Sequence, residues 1–143
     1  MSFVHHTMVR FAHVDAAGIV FYPRYFEMLN AAVEEWFGQR LGRGFRELHL
    51  DDRIGTPTVS LQCEFVAPAS LGDRLDVTIE PLNVGGRSCT IAFRIGTNGK
   101  PCLHGSVVLV CMDLDHKRSR PWPEAVKAAM NAALPSDRDD RVA

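Results

Sequence analysis

Pro23-Arg24-Tyr25-Phe26-Glu27-Met28-Leu29-Asn30-Ala31-Ala32-Val33-Glu34-Glu35-Trp36-Phe37 is the stretch on which the fold turns. Tyr25, Leu29, Ala32, Val33, Trp36 and Phe37 recur at helical spacing, while Arg24, Glu27, Ala31, Glu34 and Glu35 take much of the other side. Pro23 suits the first helical position, where its missing N–H costs nothing. The apolar stripe is wide and aromatic, so this helix is expected to be mostly buried and to stop near Gly42 or Gly44. Upstream, Phe3 to Ala12 reads as a first strand and Ala16-Ala17-Gly18 as a turn. Downstream, residues 45–56 read as a polar connecting loop. Beyond it the period changes from helical to alternating.

Val59, Leu61, Cys63 and Phe65 alternate with Ser60, Gln62 and Glu64, the pattern of a half-buried strand. Leu75, Val77 and Ile79, then Cys89, Ile91 and Phe93, repeat the alternation. Asn98-Gly99 is a hairpin signal, and a long strand is expected from about Cys102 to Met112. Pro121-Trp122-Pro123 breaks that pattern before a short helix, Glu124 to Ala133. Strand, long helix and then about four antiparallel strands predict an α+β domain with one helix packed on a curved sheet. One helix covers only one face of such a sheet and leaves its edges open, so a homo-oligomer is expected.

The chain has 143 residues and a mass of 15.9 kDa, enough for one domain, expected over residues 1–135 with a polar, frayed tail at 136–143. Sixteen Lys and Arg stand against seventeen Asp and Glu, a net charge of -1 that is balanced along the chain as well as in total. That balance argues against a nucleic-acid partner and against a membrane-surface segment. The opening Met1 to His6 lacks a charged region followed by an apolar run, so no signal peptide is expected. Four scattered cysteines, Cys63, Cys89, Cys102 and Cys111, show no C-x-x-C spacing and read as reduced core thiols in a cytoplasmic protein. No set of His and Cys has metal-ligand spacing, so no metal is expected. No Gly-x-Ser-x-Gly elbow is present.

Chemistry is concentrated in Arg10-Phe11-Ala12-His13-Val14-Asp15-Ala16-Ala17-Gly18-Ile19-Val20-Phe21-Tyr22-Pro23. An acidic residue follows a strand, lies beside a Gly turn and precedes a helix start. Asp15 there is either a nucleophile or base facing an anion-stabilising helix N-terminus, or a turn residue bonded to its own backbone. Pro23 has no N–H to offer, so a neighbour such as Tyr22 would be the donor.

Asp15 to Phe26, Asp-x-x-Gly-Ile-Val-Phe-Tyr-Pro-x-Tyr-Phe, resembles the signature of the 4-hydroxybenzoyl-CoA thioesterase family of hotdog-fold proteins. Pro57-Thr58-Val59, Phe65-Val66-Ala67-Pro68 and Gly72-Asp73-Arg74-Leu75 extend the resemblance, which runs from about residue 5 to residue 122. It implies a hotdog, a long helix wrapped by an antiparallel sheet, assembled as a homodimer or homotetramer with active sites between subunits. The activity implied is hydrolysis of an aromatic, hydroxybenzoyl-CoA-like, or short-chain acyl-CoA to the free acid and CoA. Asp15 would be the nucleophile or general base and the Tyr22 N–H would polarise the carbonyl. Gly18, Pro23 and Asn30 would contact substrate. Asn30 stands where the family carries a carboxylate that binds a ring hydroxyl, which changes the charge but keeps the hydrogen bonding. Arg87 and Ser88, after Gly85-Gly86, match the loop that contacts the coenzyme phosphates, and Arg118 and Arg120 form a second basic cluster. No separate cofactor is implied, because coenzyme A belongs to the substrate. A non-catalytic acyl-CoA-binding module and an acyl-thioester dehydratase are the alternatives. The dehydratase needs a His and an acid poised together, and no His matches that position.

Overall fold

The computed structural model describes residues 1–135; the expected tail at 136–143 lies outside them. The predicted helix, α1, spans Pro23–Gln39 and buries Tyr25, Met28, Leu29, Ala32, Val33, Trp36 and Phe37, the side that its spacing marks as apolar. It stops before Gly42, because the Trp36 and Phe37 carbonyls are taken by the N–H groups of Leu41 and Arg43 as the chain turns through Gly42 at φ +78°.

The helix lies on a five-stranded antiparallel sheet. Its strands are β1 (Phe3–Met8), β3 (Thr58–Phe65), β4 (Arg74–Val84), β5 (Ser88–Thr97) and β6 (Lys100–Val110), in the order β1-β4-β5-β6-β3. Leu75, Val77 and Ile79 on β4, Cys89, Ile91, Phe93 and Ile95 on β5, and Leu103, Val107 and Leu109 on β6 point into one core with the helix. A smaller three-stranded ribbon joins β2 (Ile54–Gly55), β7 (Met112–Asp113) and β8 (Arg118–Ser119). A second helix, α2 (Glu124–Ala132), buries Val126 and Met130.

Four expectations are corrected. The first strand ends at Met8 rather than Ala12, because His13 N–H closes on the Arg10 carbonyl and Phe11–His13 form a 3-10 turn. Residues 45–56 are more than a loop. Leu48 is fully buried and draws Glu47–Asp51 into a single π-helical turn before β2. The long last strand is interrupted at Cys111, whose N–H goes to the Arg87 carbonyl, so β6 and β7 are separate. Most informative is β3. Its alternation suggests one covered face, yet Val59, Leu61 and Phe65 are 61%, 42% and 54% exposed. The strand lies at the sheet edge, paired only with β6 on one side. Gly105 of β6 sits opposite Cys63, and a Cβ there would collide with the Gln62 carbonyl, so glycine permits the close approach of the two backbones.

The four cysteines are free thiols. Burial pushes Cys89 up to about 12 and Cys111 to about 11. Among the described residues no helix is long and apolar enough to cross a membrane.

Candidate active site

Asp15 sits on a loop folded against the start of α1. Val14 bridges to Val20 and Ile19 to Ser70, which ties the loop to the segment before β4. Gly18 supplies the turn with φ +80°, its N–H going to the Asp15 carbonyl and its own carbonyl accepting from Leu71. The two readings of Asp15 meet here. Its Oδ1 accepts the Ala17 N–H at 2.8 Å, the turn-forming bond. Its Oδ2 has no hydrogen-bond partner among the described residues, and the side chain is exposed. The turn therefore orients the carboxylate and leaves one oxygen unpaired.

The helix entrance offers one donor. Pro23 has none, and the N–H groups of Arg24 and Tyr25 go to the Phe21 and Tyr22 carbonyls at 2.9 and 3.2 Å. Phe21 N–H is taken by the His13 carbonyl. The Tyr22 N–H has no partner among the described residues and lies at the positive end of the helix dipole. Tyr25 anchors this corner from inside: its buried hydroxyl accepts the Ala69 N–H at 3.2 Å, and burial pushes its pKa above the usual phenol value. Phe65, at the end of β3, packs its ring within 6.1 to 6.4 Å of the rings of Tyr22, Tyr25 and Phe26. The periodicity shows Phe65 only as a strand residue; its place among the three helix-entry aromatics is set by the tertiary fold.

Asn30 is exposed two turns into α1 and lines two adjoining hollows. The smaller, about 150 Å³, runs past Phe26, Val33, Thr58 and Leu61. The larger, an open groove of about 780 Å³, continues past Glu34, His49, Thr56 and Thr58.

The candidate coenzyme-binding residues gather at the other end of the molecule. Arg87 donates through Nη1 to the Ser119 carbonyl at 2.9 Å, so β8 sits against the turn that opens β5. Cys111 N–H reaches the Arg87 carbonyl, Trp122 N–H the Gly86 carbonyl, and Trp122 Nε1 the Ser88 carbonyl. Arg118 lies on β8 beside Ser119, and Arg120 Nε donates to the Pro121 carbonyl at 3.3 Å. Arg87, Ser88, Arg118 and Arg120 thus share one corner. It is separated from Asp15 by the length of β4, about 33 Å along the strand at 3.3 Å per residue. Among the described residues no group of three His, Cys, Asp or Glu side chains is placed to hold a metal ion.

Comparison with known proteins gives this arrangement a family. Residues 9–130 match the model of the thioesterase-like superfamily. The chain belongs to that superfamily. It is 28% identical over 134 residues to a 1,4-dihydroxy-2-naphthoyl-CoA hydrolase of Thermosynechococcus vestitus, covering 93% of this chain and 90% of that one. Among solved structures, a gentisyl-coenzyme A thioesterase is 29% identical with a TM-score of 0.79, over 87% of this chain and 98% of the other. A hypothetical protein from Thermus thermophilus superposes with a TM-score of 0.86 at 24% identity, over 95% of this chain and all of that one. This chain is a hotdog-fold thioester hydrolase. These relatives carry naphthoyl and gentisyl names, and the membership that the match shows is that of the superfamily.

Proposed function

We propose that the protein hydrolyses an aromatic acyl-CoA, with the Asp15 carboxylate as the reacting group and the Tyr22 N–H as the oxyanion donor. The observation that carries this reading is the pairing of a free Asp15 Oδ2 with the unpartnered N–H at the adjoining helix start. A thioester carbonyl held by Tyr22 N–H gains negative charge on oxygen as it is attacked, and the helix end stabilises that charge. If Asp15 attacks directly, the C–S bond breaks, CoA leaves as the thiolate, and water then hydrolyses the mixed anhydride to the acid and free Asp15. If it acts as base, Asp15 takes a proton from water, the hydroxide attacks, and the same bond breaks. Thiolate is a good leaving group in both. An aromatic acyl group is favoured by the 1,4-dihydroxy-2-naphthoyl and gentisyl substrates in the relatives' names and by the aromatic rings around the helix entrance.

The site on this reading is shared between two copies. β3 offers an unpaired outer edge, exposed apolar side chains at Val59, Leu61 and Phe65 and a single charge, Glu64, features that an isolated chain ordinarily guards against. Antiparallel pairing of β3 with β3 of a second copy sets the Thr58 end of one beside the Phe65 end of the other. That brings the Arg87 corner of one copy to the Asp15 corner of the next, where the coenzyme phosphates and the thioester can be held together. The decisive experiment is steady-state hydrolysis of aromatic acyl-CoA esters by wild type and Asp15→Asn. A loss of about a hundred-fold or more in kcat/KM is expected; equal rates would remove Asp15 from the mechanism.

A further inference from the structure

The larger groove beside Asn30 holds an imidazole that the motif does not mark. His49 lies on the π-helical turn with its ring 4.7 Å from that of Phe45, centroid to centroid. Its Nδ1 is 2.9 Å from the Phe45 carbonyl oxygen. A carbonyl oxygen only accepts, so Nδ1 carries a proton, and in the corresponding neutral tautomer Nε2 is the acceptor. The segment is held by a two-pronged pair, Arg43 Nε and Nη2 to the two Asp52 oxygens, both at 2.8 Å. Around His49 the groove is walled by apolar side chains such as Met112 and Leu114, and its other ionisable groups are Glu27 and Glu34, with no Lys or Arg. Such a chamber suits a flat, neutral ring that carries a hydroxyl donor and disfavours an anionic substituent.

Within one chain the groove recedes from the chemistry, starting at Glu27, about 8 Å along α1 from Tyr22 at 1.5 Å per residue. Glu34, on the same groove, lies about 18 Å along α1 from Tyr22 at 1.5 Å per residue. That exceeds the span of a one- or two-ring acyl group. Pairing through β3 removes the difficulty, because it places the Thr58 end of the groove beside the other copy's Phe65 and Tyr22. We propose that His49 is a specificity-determining residue acting across the subunit boundary: its Nε2 accepts a hydrogen bond from a ring hydroxyl of the acyl group that the other copy's Asp15 hydrolyses. The inference rests on the thioesterase reading and on β3 pairing, and adds the group that reads the substrate.

The test is the ratio of kcat/KM for 4-hydroxybenzoyl-CoA and 2,5-dihydroxybenzoyl-CoA to that for benzoyl-CoA. Wild type is expected to favour at least one hydroxylated ester, and His49→Leu to lower that preference about ten-fold, since losing one buried partner costs roughly that factor. His49→Gln, whose Oε1 reaches the place of Nε2, should keep most of it, which a merely structural role would not require. A mixed pair of one Asp15→Asn copy and one His49→Leu copy, isolated through two different tags, decides the geometry. Its one intact Asp15 belongs to the His49→Leu copy, so a preference like that of wild type shows the imidazole acting from the other copy. A preference like that of the His49→Leu homodimer, a monomeric wild type, or no hydroxyl preference in wild type would overturn the inference while leaving benzoyl-CoA hydrolysis in place. Absence of hydrolysis of every ester would instead strike the thioesterase reading beneath it.

Discussion

The two ends of β4 carry opposite chemistries built by opposite means. At its start, the Asp15 corner is made by backbone: a Gly18 turn, a proline that withholds its N–H, and carbonyls that take the N–H groups of Phe21, Arg24 and Tyr25 and leave that of Tyr22. At its far end, the Arg87 corner is made by side chains, with a guanidinium clamped to the Ser119 carbonyl and two further arginines close by in sequence. The first can hold one oxygen atom at a defined point. The second supplies positive charge over a broad area, which suits flexible phosphates better than a reacting carbonyl. On the proposed reading, the difference teaches that one chain holds two halves of different sites and that pairing through the edge strand β3 assembles a whole one.

Substitutions at the two corners should therefore fail differently. Asp15→Asn is expected to lower kcat/KM by about a hundred-fold or more with the fold unchanged, since one oxygen becomes an amide that can neither attack nor take a proton. Arg87→Ala should raise KM for acyl-CoA about five- to ten-fold with kcat nearly unchanged. The same variant should leave hydrolysis of an acyl-pantetheine thioester, which lacks the nucleotide phosphates, within about two-fold of wild type. Comparable losses on both substrates would place Arg87 with the chemistry and erase the contrast. Thiol labelling gives a smaller but cleaner readout. The thiolate is the reactive form, and with a pKa of about 12 only about one in ten thousand Cys89 thiols is ionised at pH 8. Cys89 and Cys111 should stay unlabelled at pH 8 until the protein unfolds. Cys63, half-exposed on β3, should label faster once β3 is unpaired.

Much of this could be read in the residues before any coordinates. The wide apolar stripe from Tyr25 to Phe37 fixes α1 because burial enforces the helical period, and the alternation of Leu75-Val77-Ile79 fixes β4 in the same way. The Asp15–Gly18 turn was legible as two competing readings; the turn bond to Oδ1 is present, and the unpaired Oδ2 is compatible with the proposed reacting role. On β3 the alternation is real but nothing among the described residues covers its apolar side chains, so the pattern pointed to a burial that residues 1–135 do not provide. His49 carries no local signal, and Phe65 carries only that of a strand residue. One is placed by the burial of its neighbour Leu48, the other by a strand end meeting a helix start, and neither encounter is encoded in spacing.

The measurement that bears most directly on the divided site pairs oligomeric state with activity for Leu61→Lys, a charge placed on the exposed edge strand. Analytical ultracentrifugation should show wild type as a dimer or larger, and the variant as a monomer with an unchanged circular dichroism spectrum and less than about a tenth of the wild-type kcat/KM. A folded Leu61→Lys monomer that hydrolyses aromatic acyl-CoA at the wild-type rate would contradict the account, because one chain would then contain a complete site.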